Sequence, residues 1–364
     1  MPIVIYRRQL LRGGVCVLGA PFLNRGRFSA FANGPRDYSA ATLALVRSST
    51  VIDMLGLLTL DYRKLMTWQT LAAAFHDTDL QRLKDSGITV FHPAVGFVTG
   101  DVYNSSVKDL TNWNLFLATH ADQFIRVDNV SDAERAKQSG KIGIILGLQN
   151  SQHFRTVEDI GFFYNLGQRI SQLTYYDNKL GGGSMDPDRG LSDFGAQVIA
   201  RMNELGMAVD VSHCADRTTL DTVEQSTKPV LVTHSNCRAL VLNNPRCKTD
   251  EAIRKIAAKG GVFGVTMVRP FVRAQGRTTI EDVLDHIDHV ASVAGVESVG
   301  LGTDVDQDGR ESGPVRTSDL DGLAYPRKIF DLAEGLLRRK YKRADIELIL
   351  GGNFQRALAT IWKK

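Results

Sequence analysis

Short apolar runs alternate with segments of helical period along most of this chain. The helical segments repeat apolar residues every three to four positions, and the clearest cover 191–205, 217–224, 250–258 and 280–293. The apolar runs are rich in β-branched residues and have the length of buried strands; they cover 51–58, 87–92, 142–147, 170–175, 207–212, 229–233, 261–267 and 297–302. Eight such runs separated by helices predict an α/β fold, a (β/α)8 TIM barrel. An open, doubly wound sheet is the alternative, but no glycine-rich phosphate-binding motif follows the first run.

Polar side chains follow several of these runs at the positions where strands would end. They are His92, Gln149, Asp177, His213, His234 and Asp304. Barrel enzymes bind and transform their substrates at the C-terminal ends of the strands. His213 and His234 follow neighbouring runs, and neutral imidazoles that converge in this way are common ligands of zinc. The pattern therefore predicts a metal-dependent hydrolase with both histidines on one ion.

The sequence around these two histidines is more specific than the histidines themselves. The informative motifs are Gly-Leu-Ser-Asp-Phe-Gly at 190–195, Asp-Val-Ser-His at 210–213, Thr-His-Ser-Asn-Cys-Arg-Ala-Leu at 233–240, Gly-Leu-Gly-Thr-Asp-Val-Asp at 300–306 and Gly-Gly-Asn-Phe-Gln-Arg at 351–356. In this order they resemble the renal (membrane) dipeptidase family of zinc metallopeptidases, from about residue 170 to the C-terminus. The resemblance implies a TIM barrel of the metal-dependent amidohydrolase type, dipeptidase activity and a two-zinc centre at the barrel mouth.

The resemblance also implies a set of five metal ligands, and here the chain departs from the family. His213 and His234 match two of them. Leu55 and Leu57 stand where the family has a His-x-Asp pair on the first strand, and Gln149 replaces a bridging glutamate. Leucine has no donor atom for Zn²⁺, and a neutral amide is a poor bridge between two cations. We therefore expect a reduced zinc site with one ion, or with none.

Further roles follow from the same resemblance. Asp304 matches the catalytic aspartate that moves the proton between the attacking water and the leaving amine. Arg246 matches an arginine that grips the C-terminal carboxylate of the substrate, and Gln149 joins it as a substrate-binding residue. Asp177 stands where the family has a histidine that steadies the scissile carbonyl oxygen, and Tyr176 beside it is able to donate that hydrogen bond instead.

The sequence leaves three functions open. The first is an exported metal-dependent hydrolase of a dipeptide or small amide. The second is an enzyme of the same fold that performs non-hydrolytic acid/base chemistry, a tautomerisation or cyclisation, on an exported metabolite. The third is a metal-free binding protein for an anionic ligand. No basic patch interleaved with aromatic residues indicates a nucleic-acid partner, and the resemblance is compatible with a homodimer.

The first 32 residues differ from the rest in charge and pattern. They hold five arginines and no acidic residue, and without them the chain has 39 basic and 40 acidic residues. Arg7 and Arg8 precede an apolar run and then Ala30-Phe31-Ala32, a small-residue cleavage pattern, which together resemble a twin-arginine export signal. We expect residues 33–364 to form one catalytic domain that the twin-arginine machinery delivers to the periplasm or the medium. The apolar run is too short for a permanent membrane anchor.

Three cysteines lie beyond this leader, at Cys214, Cys237 and Cys247. An odd number permits at most one disulfide within the chain in an oxidising compartment. Small apolar positions just after strands are ordinary places for cysteine, so we expect buried structural thiols rather than metal ligands.

Overall fold

The computed structural model describes residues 37–307, 320, 321, 323 and 326–362. The chain divides into two units, Met1–Tyr38 and Ser39–Lys364, and the strands and helices of the described ranges all belong to the second. The leader expected at residues 1–32 lies outside the described residues, and the domain boundary after it stays a prediction.

Parallel strands form the centre of the second unit. Twelve strands occur among the described residues: β1 Ile52–Asp53, β2 Gly56–Leu57, β3 Val90–Phe91, β4 Phe124–Arg126, β5 Ile142–Ile144, β6 Gly147–Leu148, β7 Ile170–Gln172, β8 Ala208–Asp210, β9 Leu231–Ser235, β10 Val262–Val265, β11 Val299–Leu301 and β12 Val305–Asp306. Ten of them make one parallel sheet in the order β4-β5-β3-β1-β11-β10-β9-β8-β7-β6. The remaining two, β2 and β12, pair with each other.

This sheet closes on itself because β5 and β6 are successive parts of the same strand, 142–148. The first part pairs with β3 and the second with β7, and a further bridge joins Val95 to Leu148. Eight strands therefore surround the axis, and each of the eight apolar runs overlaps one of them, which confirms the predicted (β/α)8 barrel. The sequence did not predict β4, which pairs with the outer edge of β5.

Helices cover the outside of the barrel. They are α1 Ala40–Ser48, α2 Tyr62–Thr70, α3 Asp77–Asp85, α4 Val102–Thr119, α5 Val130–Ser139, α6 Glu158–Asn165, α7 Asp193–Leu205, α8 Asp216–Gln225, α9 Asp250–Ala258, α10 Arg269–Val272, α11 Ile280–Ala294, α12 Lys328–Arg338, α13 Arg343–Glu347 and α14 Asn353–Ile361. The four predicted helical segments agree with α7, α8, α9 and α11 to within two residues. In α7, for example, the Ser192 hydroxyl accepts a hydrogen bond from the Gly195 N–H, and Gly206 ends the helix with a φ of 77°. No helix of the described ranges is long and apolar enough to cross a membrane.

The core continues from the strands into the last helix. Inward residues of the strands pack with Phe354, Leu358 and Ile361 of α14, and these three side chains are at most 1% exposed. Burying a phenylalanine or leucine side chain stabilises the fold by about 1.5–3 kcal/mol. This apolar cluster holds α14 against the barrel.

Two buried carboxylates tie neighbouring strand ends together. Asp210, at the end of β8, accepts hydrogen bonds from the backbone N–H and the hydroxyl of Thr233 on β9. Asp53, at the end of β1, accepts the same pair of bonds from Thr303, just beyond β11. Burial raises the pKa of Asp53, and the bonds from Thr303 counter that effect. Both ties lie directly before residues that the sequence singled out, His234 and Asp304.

β9 and β10 approach each other so closely that a side chain at Gly264 has no room. A Cβ atom there would overlap the backbone carbonyl oxygen of Thr233, which is a rigid neighbour. Glycine at this position is therefore a packing requirement of the barrel wall beside His234.

We expect Gly264→Ala to lower the free energy of unfolding by about 2–3 kcal/mol, because the overlap is with backbone and cannot relax by rotating a side chain. The matched control is Gly161→Ala in the middle of α6, where a Cβ meets only the tip of Arg201 at 3.9 Å. That change should stabilise the helix by about 0.5–1 kcal/mol. Denaturant unfolding of both variants measures the difference, and equal effects of the two would contradict the tight β9–β10 contact.

Candidate active site

His213 and His234 face each other at the C-terminal end of the barrel. Their Nε2 atoms are 3.0 Å apart, and both side chains are buried. The Nδ1 atom of His234 lies 2.8 Å from the Thr233 hydroxyl, which itself donates to Asp210. Because that hydroxyl hydrogen is used on Asp210, we assign the proton of His234 to Nδ1. His234 Nε2 then carries a lone pair and accepts a hydrogen bond from His213.

Both imidazoles are neutral at physiological pH. Burial lowers the pKa of each well below the ordinary value, and the positive charge of Arg246 lowers both further. A neutral imidazole offers one lone pair, which suits either a metal ion or a hydrogen-bond donor. The pair thus has the electronic state that the sequence analysis required of metal ligands.

Arg246 holds the loops that carry the two histidines. Its Nη1 donates to the Ser212 carbonyl and the Ser235 hydroxyl, and its Nη2 donates to the His234 carbonyl. Its Nε is buried without any hydrogen-bond partner among the residues that the structure describes. Leaving a buried donor unpaired costs about 1–3 kcal/mol. Nε–H and the second hydrogen of Nη2 are therefore available for one carboxylate.

Asp304 lies beyond β11, directly after Thr303, which is hydrogen-bonded to Asp53. It has a φ of 55°, a left-handed conformation that Asp tolerates better than most residues. Burial raises the pKa of its carboxyl to about 7; the Arg246 charge lowers that pKa and the Asp53 charge raises it. The side chain therefore holds a proton part of the time at neutral pH, as a group that first accepts and then donates a proton must.

Tyr175 is the site residue that the sequence analysis missed. Its ring stacks on the His213 ring, with centroids 4.2 Å apart and an interplanar angle of 26°. The space for it comes from Gly96, where a Cβ would lie 2.8 Å from the tyrosine ring. Burial raises the Tyr175 pKa, and the charge of Asp304 raises it further, so the hydroxyl stays protonated. The sequence feature that could have identified Tyr175 as a site residue is its position at the end of the fourth apolar run, 170–175.

The contacts of Asp177 and Tyr176 in this structure lie mainly outside the histidine pair, and the catalytic roles expected for them stay predictions. The Asp177 carboxylate accepts a hydrogen bond of 2.6 Å from the Gly183 N–H and lies 3.8 Å from Arg189, so it organises the loop after β7. The Tyr176 side chain is 57% exposed and meets the site only through an edge contact with Tyr175. The chain bends at residues 175–177, where these three side chains follow one another.

Gln149 is hydrogen-bonded to residues of neighbouring loops rather than to either histidine. Its side-chain amide donates to the Ala94 carbonyl at 2.9 Å, and its backbone carbonyl accepts a bond from Gln172. Its expected contact with substrate stays a prediction. His92 is buried and lies 2.6 Å from the Met54 carbonyl through Nδ1, while His153 is bonded to Gln168.

The residues that the structure describes do not by themselves make up a zinc centre. Leu55 and Leu57 are buried in an apolar cluster with Ala94, where the resemblance implied two ligands. Across the described part of the chain, no three His, Cys, Asp or Glu side chains lie close enough together to hold a metal ion. A catalytic zinc ordinarily has three protein ligands and a water. His213 and His234 supply two imidazoles and no anionic donor.

The three cysteines of the second unit are buried free thiols, in agreement with the structural role expected for them. Burial raises the pKa of the Cys214 thiol, which also lies 3.3 Å from the Thr174 hydroxyl. A protonated thiol is not the form that binds zinc.

Comparison with known proteins agrees with this architecture. A family model described as membrane dipeptidase (peptidase family M19) matches residues 40–363. The chain is 36% identical over 248 residues to an uncharacterized dipeptidase of Schizosaccharomyces pombe, a match that covers 65% of this chain and 57% of that protein. It is 28% identical to dipeptidase VerJ of Clonostachys rogersoniana, with 78% and 76% of the two chains covered. A solved amidohydrolase structure from Pseudomonas aeruginosa has a TM-score of 0.77 and 28% identity, and the match covers 89% of this chain and 99% of that one.

The raised pKa of Asp304 predicts a stability that depends on pH. The native state binds more protons than the unfolded state between the unfolded pKa of 3.8 and the folded pKa of about 7, so stability is lost as the pH rises through this window. Asp304→Asn, which suits the same backbone conformation, should remove this loss. We expect the variant to gain about 1–3 kcal/mol over the natural chain between pH 4 and pH 8, less than the full shift because the carboxyl is only partly buried.

Unfolding by denaturant at several pH values measures this gain, and Asp122→Asn at an exposed position is the control. A constant difference between Asp304→Asn and the natural chain from pH 4 to pH 8 would show that the carboxyl titrates normally.

Proposed function

This chain belongs to the membrane dipeptidase family, peptidase family M19, and on that premise we propose that it hydrolyses dipeptides or small amides that carry a free carboxylate. The observation that carries the proposal is the buried Nε of Arg246, which has no hydrogen-bond partner among the described residues, on a guanidinium whose other donors are largely occupied. Arginine binds carboxylates through two parallel N–H bonds. A substrate carboxylate that accepts a hydrogen bond from Nε satisfies this donor and compensates the buried positive charge of the guanidinium.

The reaction that these residues support is a proton transfer through Asp304. With a pKa of about 7, its carboxylate form takes a proton from the attacking water, and its acid form then returns that proton to the leaving amine. The Tyr175 hydroxyl donates a hydrogen bond to the oxygen on which negative charge develops. Arg246 fixes the substrate so that the scissile bond meets both groups.

The number of metal ions predicted from the sequence, one or none, belongs to this proposal. Two imidazoles supply half of the four ligands of a tetrahedral zinc, so binding of a single ion between His213 and His234 needs additional ligands that are not protein side chains of the described ranges. We also propose, from the sequence alone, export through the twin-arginine machinery to the periplasm or medium, and assembly as a homodimer.

A second function is non-hydrolytic acid/base chemistry, a tautomerisation or ring closure on an exported metabolite. The observation in its favour is the apolar cluster of Leu55, Leu57 and Ala94, because it occupies the positions from which the family's first-strand ligands would act. Asp304 and Tyr175 suffice to move a proton between two atoms of a substrate without an activated water. Such a reaction leaves the substrate's mass unchanged or lowers it by water loss.

Dipeptides tested in pairs, each with a free carboxylate or as the C-terminal amide, measure the function directly. We expect the free acids to be cleaved at least about 100-fold faster in kcat/KM, because a charged, bidentate contact is worth about 3 kcal/mol. Release of free amino groups is the readout, and zinc content of the same sample should not exceed one ion per chain. Equal rates on acids and amides, or two zinc ions per chain, would contradict the proposal; absence of any turnover would favour a binding protein.

Tyr175→Phe separates the stacking role of this residue from its chemical role. The ring contact with His213 remains, but the hydroxyl is lost, so we expect kcat to fall about 100-fold with little change in KM. Tyr176→Phe removes the neighbouring hydroxyl, which belongs to an exposed side chain, and should leave both constants unchanged. The same effect from both variants would show that neither hydroxyl contacts the reacting atoms.

A further inference from the structure

A cavity lies at the opposite end of the barrel from the histidine pair. It has a volume of about 390 Å³ and opens between α1, the loop before β3, the C-terminal end of α5 and the start of α12. The lining residues Thr89 and Ile142 place it at the N-terminal ends of β3 and β5, away from Arg246 and Asp304. Its size is within the range of small-molecule sites, about 300–1,000 Å³.

Positive side chains dominate the lining of this cavity. Five of its residues are basic, and none of its described lining residues is Asp or Glu: Arg47, Lys84, Lys137, Lys141 and Arg327. Basic residues often offset the negative C-terminal ends of helices, and α1, α3 and α5 end here. Three helix ends carry about −1.5 elementary charges in total, at about −0.5 each. They offset less than half of the charge of about +4 that Arg47, Lys84, Lys137 and Lys141 carry together.

Arg47, Lys84 and Lys137 form no ion pair with any residue in the ranges that the structure describes. Lys137 is half-buried in the wall, and burial lowers its pKa, as expected where no anion stabilises the ammonium group. Lys141 donates to the Ala121 carbonyl at 2.7 Å and keeps two further hydrogens.

The floor of the cavity is apolar. It is formed by Leu43, Val46, Ile88, Ile142 and Phe330. Gly87 has a φ of 78°, and a Cβ there would lie 2.7 Å from Val46 and 2.8 Å from Phe330, so the floor is closely packed. A ligand that fits this cavity therefore needs concentrated negative charge at one end and an apolar body at the other.

We propose that this cavity binds a phosphorylated small molecule, with its phosphates on Lys84, Lys137 and Arg47 and its organic part on the apolar floor. Phosphate groups carry more charge per volume than a carboxylate, and lysine binds them as a point charge. The proposal does not depend on the reaction at the other end of the barrel. It assigns the protein a second binding site that is separate from the histidine pair.

Isothermal titration of the whole chain with inorganic pyrophosphate and with ADP tests this site. We expect both to bind, and ADP to bind more tightly, because its organic part covers the floor. Lys137→Met keeps the apolar stem and should weaken both about ten-fold, which corresponds to 1.4 kcal/mol. The control is Lys108→Met, which removes the same charge at a position of α4 outside the cavity.

Lys137→Met should fold normally, because it removes a half-buried charge that has no ion partner in the described ranges, and thermal unfolding checks this. No binding of either probe at millimolar concentration would overturn the proposal. Equal weakening by Lys137→Met and Lys108→Met would also overturn it, since binding would then follow net charge rather than this cavity. Binding of ADP no tighter than that of pyrophosphate would overturn it as well, because the organic part would then not contact the apolar floor.

Discussion

The candidate active site depends on the hydrogen bonds of one buried carboxylate, Asp210. An unpaired carboxylate in the interior costs several kcal/mol, so it must be bonded from all sides. Asp210 accepts from the backbone N–H and hydroxyl of Ser212 and from those of Thr233. These bonds fix the end of β8 against β9. Because His213 and His234 directly follow the two donors, their rings meet in one arrangement.

Asp53 plays the corresponding part on the other side of the barrel. It joins β1 to Thr303 beyond β11, and the next residue is Asp304. Arg246 adds a third tie, since it donates to the carbonyls of Ser212 and His234. The Nε–H and the second hydrogen of Nη2 remain for a substrate carboxylate, so the structural and recognition roles of this side chain use different hydrogens of one guanidinium. Residues at this end of the barrel therefore both stabilise the loops and serve the proposed reaction.

The barrel was predictable from sequence because its signals are local. Each apolar run such as 207–212 is long enough and β-branched enough to indicate a buried strand, and the caps of helices such as α7 are also readable. Strand β4 was not predicted, since it is three residues long and only its first is fully buried. The pairing of Asp53 with Thr303 joins positions 250 residues apart, which no local pattern reveals.

Within the site, the histidines and Arg246 were predictable from motifs, but the direction of side chains was not. Tyr175, Tyr176 and Asp177 are consecutive, and only the turn after β7 decides which of them meets His213. The consequence is that an aromatic ring, and not a carboxylate, covers the His213 ring.

Asp210, acting through Thr233, is expected to fix the proton of His234 on Nδ1. The ¹⁵N chemical shifts of the His234 ring in metal-free protein measure this directly. A protonated Nδ1 and an unprotonated Nε2, with the preference lost in Thr233→Val, is the predicted result; a proton on Nε2 in the natural chain would contradict it.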